Sequence, residues 1–246
     1  MKTLSLLASF LASTSVMAAE VQVAVAANFA NTMQRIVTAF EQDTGHKVLL
    51  TSGATGKFYA QINNGAPFDM LLSADVDTPA RLEKEGLAVS GSRFTYAIGR
   101  LVLWSPKDGY VDNQGAILKA GDYRHIAIAN PKTAPYGAAA IDTLGRLKLL
   151  AAVQGKIVQG ENIAQTLQFV STGNAQLGFL ALSQVYEDGK LTSGSGWVVP
   201  LTMHGPIRQQ AVTLKRASAN PGARALAVYL KSDKARGIIK SFGYEF

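Results

Sequence analysis

The chain contains no cysteine among its 246 residues. That excludes disulfide staples and thiol catalysis, and is compatible with an oxidising compartment. Histidine is scarce: His46, His125 and His204 stand in three unrelated settings without metal-ligand spacing, so surface or structural roles suit them better than a metal site. Charged residues make up only 17% of the chain against 48% hydrophobic, the balance of a folded protein rather than a disordered one. The positive excess is mild, 24 Lys plus Arg against 17 Asp plus Glu, for a formal charge of +7. No basic run is dense enough for a nucleic-acid surface, although a small anionic ligand suits the sign. Beyond the first residues, no segment reaches the roughly 18 uninterrupted apolar residues that span a bilayer.

Signatures of chemistry are missing as well. There is no G-x-S-x-G nucleophile elbow. The stretch GATGK differs from a nucleotide-binding P-loop, because Gly53 and Gly56 are separated by two residues rather than four and Phe58, not Ser or Thr, follows Lys57. Asp75 and Asp77 lie in SADVDTP, which reads as a turn and helix start rather than as an acid–base pair. A Ser-His-Asp arrangement assembled from distant residues stays open, but nothing positive points to an enzyme.

What is present begins with a leader. The opening MKTLSLLASFLASTSVMA carries Lys2, an apolar core over residues 4–11, and small residues around Val16, Met17 and Ala18. This is the three-part pattern of a secretory signal peptide spanning residues 1–18, with cleavage expected after Ala18. The mature protein is then expected to be exported and soluble.

The remainder alternates strand and helix. VQVAVAA is a β-rich run, and Phe29, Met33, Ile36, Val37 and Phe40 follow at helical spacing before a stop at Gly45. KVLLTS, PFDMLLSAD, HIAIAN, KIVQG and AQLGFLAL read as further strands, with helices after the GATG loop, after PKTAPYG and at ENIAQTLQFVSTG. Such alternation predicts an α/β fold with largely parallel sheets. Two similar halves are visible, joined by SRFTYAIGRLVLWSP and by PIRQQAVTLKR, each long enough to cross between lobes. The expected organisation is one lobe from residues 19–97 plus 214–246, a second from 98–213, and a ligand in the cleft between them.

Four loops each deliver a helix start at a strand end: Ala27-Asn28, residues 53–56, residues 134–137 and residues 160–163. A helix N-terminus leaves N–H groups unpaired and carries about half a positive charge. Four together would present roughly two charge equivalents, which suits a small dianion. The Asn28 amide and Thr55 hydroxyl would add side-chain donors. Singly, each has a plainer reading: Asn28 as a helix cap, Thr55 as a turn residue, Tyr136 as a packed aromatic. Neutral donors favour a fully ionised anion over hydrogen phosphate, whose proton needs a buried acceptor worth about 1–3 kcal/mol. Glu161 and Asp75 would weaken that reading if they entered the cleft.

The segments AANF, TSGATGKFYAQI, NGAPFD, LLSAD, SRFTYAIGRLVLWS, NPKTAPYG and QLGFLALSQ, taken in order with the leader, are similar to those of the periplasmic molybdate-binding proteins of molybdate ABC transporters. The resemblance covers nearly the whole mature chain. It implies a two-lobed periplasmic binding protein, each lobe a mostly parallel sheet flanked by helices, that binds molybdate or tungstate. It also implies delivery to a membrane permease, with no cofactor, no nucleic acid, no catalysis, no directly coordinated metal and a monomeric state. Carried over residue by residue, the oxyanion contacts fall at Ala27, Asn28, Thr55, Tyr136 and Ile163, the last two through backbone N–H groups. Some members have serine where this chain has Thr55, and others use a tyrosine hydroxyl where this chain has Ala181. A sulfate- or phosphate-type oxyanion receptor is the alternative within the binding class, and a secreted α/β hydrolase the alternative outside it.

Overall fold

The computed structural model describes residues 18–246; the expected leader lies outside the described residues apart from Ala18. In chain order the elements are β1 (Glu20–Ala26), α1 (Ala30–Thr44), β2 (Lys47–Gly53), α2 (Thr55–Asn63), β3 (Met70–Ser73), α3 (Asp77–Lys84) and β4 (Phe94–Gly99). Then come β5 (Leu101–Ser105), α4 (Ile117–Ala120), β6 (Ile126–Ala129), α5 (Pro135–Arg146), α6 (Leu150–Val153), β7 (Ile157–Gly160), α7 (Ile163–Ser171) and β8 (Leu177–Ala181). A short hairpin of β9 (Tyr186–Glu187) and β10 (Lys190–Leu191) precedes β11 (Ser195–Val198), β12 (Ile207–Thr213), α8 (Pro221–Tyr229) and α9 (Asp233–Ser241). Among the described residues no helix is long and apolar enough to cross a membrane.

The strands form two five-stranded sheets, ordered β2-β1-β3-β12-β4 and β11-β5-β8-β6-β7. Each sheet has a parallel heart, β2-β1-β3 in one and β7-β6-β8 in the other. The antiparallel members are the strands that arrive from the opposite lobe: β12 against β3 and β4, and β5 against β8 and β11. A strand entering from the other side of the molecule runs against its neighbours, so the mixed character follows from the crossings.

Local sequence explains the packing. Val21, Val23 and Val25 face one way along β1 and bury against Met33, Ile36, Val37 and Phe40 of α1, while Ala24 faces Phe58 and Ile62 on the other side. Burying side chains of this size contributes about 1.5–3 kcal/mol each. The helix stops at Gly45, whose φ of +74° is the left-handed conformation a side chain resists.

The first crossing is abrupt. β4 ends at Gly99 in one sheet and β5 begins at Leu101 in the other, so Arg100 alone connects them. The second crossing lies between β11 and β12. Here the sequence boundaries need adjusting: β12 was expected in the second lobe, but it hydrogen-bonds to β3 and β4 of the first sheet. A run that crosses between lobes belongs to the sheet whose edges it pairs, and apolar periodicity carries no information about that choice. We place the lobe boundaries at Arg100 and within residues 199–206.

Helix α5 lies unusually close to its sheet. A Cβ on Gly137 would fall 2.2 Å from the Ala129 carbonyl oxygen and 3.0 Å from the Asn130 carbonyl carbon, both backbone. On Gly145, exposed near the end of the same helix, a Cβ would meet nothing within 4 Å. Gly137→Ala is therefore expected to destabilise by about 2 kcal/mol or more, and Gly145→Ala to stabilise by about 0.5–1 kcal/mol. Urea denaturation of the two variants measures this; shifts of the same sign would refute the packing described.

Candidate functional site

Four strand–helix junctions converge on one small cavity between the lobes. It is lined by Ala26, Ala27, Asn28, Gly53, Ala54, Thr55 and Ala74 from one side and by Ala134, Pro135, Tyr136, Asn162 and Ile163 from the other. Ala27, Asn28, Thr55, Tyr136 and Ile163, the five residues singled out from the sequence, all lie in this lining. The cavity is small, about 10 Å³ against about 460 Å³ in the cleft next to it.

Each junction presents N–H groups that the fold does not use. After β1 the chain turns through a short 3-10 helix, Ala27–Phe29, that runs on into α1. The Ala27 and Asn28 N–H groups open this helical stretch and have no preceding helical carbonyl to bond. At α2, Gly56 donates to the Thr133 carbonyl and Lys57 and Phe58 to Ala54, leaving the Thr55 N–H without a partner among the described residues. At α5, Pro135 has no N–H, and Gly137 and Ala138 return to the Ala134 carbonyl, so the Tyr136 N–H is left over. At α7, the Asn162 side chain caps the N–H groups of Ala164 and Gln165, which leaves Ile163.

The Thr55 hydroxyl is oriented by what it accepts. It is 1% exposed and takes a hydrogen bond from the Ala74 N–H at 3.0 Å, so its own proton is free to point at the cavity. Asn28 departs from expectation. Its amide nitrogen donates to Gln209 Oε1 at 2.8 Å and to the Tyr244 hydroxyl at 3.0 Å, which spends both of its protons away from the cavity. Asn28 offers the cavity its main-chain N–H instead of its side chain. Ala181 sits fully buried at the end of β8, outside the lining, with its N–H donated to Gln184.

No charged side chain lines the cavity. Helices α1, α2, α5 and α7 have 15, 9, 12 and 9 residues, long enough to carry a full terminal dipole of about half a charge each. Asp75 does not enter. It accepts from Ser73 and from the Thr78 main chain and hydroxyl, lines the neighbouring cleft, and is held above the usual carboxylate range chiefly by burial. Glu161 is exposed and pairs with Lys57 across the rim. The lobes also touch at the rim through Gly56 N–H to Thr133 O at 3.0 Å. A Cβ on Gly56 would come within 3.1 Å of Thr133 Cα, so glycine permits that approach.

Beneath the cavity lies a polar floor that sequence reasoning did not identify, built on Gln209, Tyr96 and Tyr244 with Ser183. Gln209 is fully buried, and the sole sequence signal for it is a glutamine in phase with Ile207 and Ala211 on the inward face of β12. Tyr244 follows the last helix and carries no such signal.

The arrangement can surround a small anion with directed N–H groups and one hydroxyl while supplying no counter-charge. Against this geometry, the model of a family described as bacterial extracellular solute-binding protein matches residues 21–245. The molybdate-binding protein ModA of Azotobacter vinelandii is 62% identical over 227 residues, covering 92% of this chain and 90% of its own length. That of Rhodobacter capsulatus is 47% identical over 227 residues, covering 92% and 88%. Among solved structures, the periplasmic molybdate-binding protein of Azotobacter vinelandii matches with a TM-score of 0.89 at 43% identity, covering 92% of this chain and 99% of that one. The chain belongs to the bacterial extracellular solute-binding proteins.

Proposed function

We propose that this chain is the periplasmic receptor of a molybdate uptake system. It closes two lobes on a single molybdate ion, accepts tungstate in the same way, and delivers the ion to the membrane permease of an ABC transporter. It acts as a monomer and performs no chemistry on its ligand. The observation that carries this reading is the convergence of four helix N-termini, with unpaired N–H groups, on a cavity without charged side chains. The binding residues are Ala27, Asn28, Thr55, Tyr136 and Ile163, all through main-chain N–H groups, with the Thr55 hydroxyl in addition.

The donor set favours a fully ionised tetrahedral dianion. Hydrogen phosphate brings a proton, and the cavity lining has no carboxylate or imidazole to receive it; a buried donor left unmade costs about 1–3 kcal/mol. Sulfate is excluded by none of these donors, and molybdate is preferred to it because the similar proteins named above are molybdate-binding.

A thermal-shift panel tests the assignment. Molybdate or tungstate at 100 times its dissociation constant should stabilise by about 2.7 kcal/mol, roughly 5–10 °C for a chain of this size, with little response to phosphate. Equal shifts with phosphate would sink the neutral-donor reading, and equal shifts with sulfate the preference for molybdate.

Thr55→Val keeps the β-branched shape while deleting the hydroxyl. A hydrogen bond to a charged group is worth about 1.5–3 kcal/mol, so molybdate affinity is expected to fall tenfold to a hundredfold in titration calorimetry. Unchanged affinity would make the GATG loop a structural turn.

Affinity is also expected to be flat with pH. The one titratable side chain in the lining is Tyr136, whose hydroxyl is pushed well above the ordinary phenol value by burial. Nothing lining the cavity therefore changes charge between pH 6 and 9. Dissociation constants measured across that range should agree within about threefold; a steep slope would mean that a charged group reaches the anion.

A further inference from the structure

Gln209 sits where both lobes, a crossing segment and the anion loop meet. Its Oε1 accepts from Asn28 Nδ2 at 2.8 Å and lies 3.0 Å from the Tyr96 hydroxyl, whose single proton is shared between it and the Ser73 carbonyl at 3.1 Å. Its Nε2 donates to the Tyr136 hydroxyl at 3.1 Å. Asn28 and Tyr96 belong to the first lobe and Tyr136 to the second, so one side-chain amide joins them. The Asn28 carbonyl in turn accepts from the Tyr244 hydroxyl at 2.9 Å, and Ser183 Oγ of the second lobe stands 2.9 Å from both.

The room for this arrangement comes from the hinge. A Cβ on Gly99, the residue before the Arg100 crossing, would lie 2.0 Å from the Tyr136 hydroxyl oxygen and 2.6 Å from Gln209 Nε2. The network therefore occupies the notch left by a glycine at the pivot. If the lobes part, the bonds from Gln209 to Tyr136 and from Ser183 to Asn28 are lost together.

We propose that Gln209 is the positioning residue of the anion site, coupling closure of the lobes to the placement of the Asn28 and Tyr136 N–H groups through its side-chain amide. This rests on the receptor reading above and adds to it. Gln209 does not line the cavity and touches no ligand; it acts through Asn28 on one side and Tyr136 on the other. Two directional demands are placed on it, an acceptor toward Asn28 and Tyr96 and a donor toward Tyr136. A neutral carboxylic acid meets both, with a carbonyl oxygen and one O–H. A carboxylate meets only the first, and adds negative charge behind a site that holds an anion.

Gln209→Glu is therefore a variant whose competence is set by pH. The titratable groups facing the position are Tyr96, Tyr136 and Tyr244, all held neutral by burial, with Asp75 bearing on Tyr96 from beyond. Burial raises the pKa of a new carboxyl there, so it is protonated at the acid end of the range and ionises as pH rises. Molybdate dissociation constants of Gln209→Glu and of the parent protein, measured at pH 5.5 and 8.5 and expressed as a ratio at each pH, cancel any chemistry of the ion itself. The ratio is expected near one at pH 5.5 and at least tenfold higher at pH 8.5. In Gln209→Met, which supplies neither donor nor acceptor, stopped-flow rates should show dissociation at least tenfold faster with association within about twofold of the parent.

A purely structural glutamine would lower the melting temperature in both variants without moving the rates or the pH ratio. A pH-invariant ratio for Gln209→Glu overturns the assignment, even where Gln209→Met fails to fold. Absence of molybdate binding by the parent itself would instead overturn the receptor reading, so the two failures are distinguishable.

Discussion

On the proposed function, the molecule answers to one electrostatic problem, how to bury a doubly charged ion without burying an opposite charge beside it. An isolated ion removed from water costs many kcal/mol unless its surroundings replace the hydration shell. Lysine or arginine would solve the problem with full charges, but neither lines the cavity. The fold uses partial charges instead. Helix N-termini come with unpaired N–H groups at fixed positions, and a sheet that alternates strand and helix delivers several of them to one edge. The parallel hearts β2-β1-β3 and β7-β6-β8 therefore matter beyond stability: each aims two helix starts at the same point.

A single lobe could supply only half of these donors, which is why the chain is divided and crosses twice. The crossings explain the antiparallel strands in each sheet, and the first of them runs through Gly99 and Arg100. Between the lobes, Gly56 N–H donates to the Thr133 carbonyl and Ser183 Oγ to the Asn28 carbonyl, so both contacts engage main-chain groups beside the cavity. The Lys57–Glu161 pair at the rim is exposed on both sides, where ion pairs are worth little, about 0–1 kcal/mol. Its effect on closure is correspondingly small next to that of the buried bonds.

Much of this was legible in the sequence because it is carried by local signals. Strand-loop-helix units announce themselves through apolar periodicity, Gly45 marks a helix end, and the loops at Asn28, Thr55, Tyr136 and Ile163 repeat in two halves. Backbone donors follow from helix starts without knowledge of any tertiary contact. Side-chain directions do not. Asn28 has the same appearance in sequence whether its amide faces the anion or Gln209, and the difference depends on a residue 181 positions away. The sheet membership of β12 was hidden for a similar reason, since pairing partners are chosen by the crossings rather than by the strand's own residues. The β9–β10 hairpin is too short to leave a periodic trace.

The distribution of polarity follows from the same electrostatic problem. Around the cavity the polar groups are neutral and hydrogen-bonded to one another; the charges are kept at the rim or turned away, as Asp75 is toward Ser73 and Thr78. A full positive charge in the cavity would strengthen binding but would also attract any anion of suitable size and resist release. Dipoles that must be aimed are more selective, because their contribution falls off when the ligand oxygens are displaced from the N–H directions. Aiming requires that the main chain be held rigidly from behind. The buried amides and phenols under the Asn28 loop fit that requirement: they are neutral, hydrogen-bonded to one another and anchored in both lobes, so they fix the donors without adding a full charge of their own. For the proposed receptor, which would hold its ion and then give it up, orientation serves better than charge.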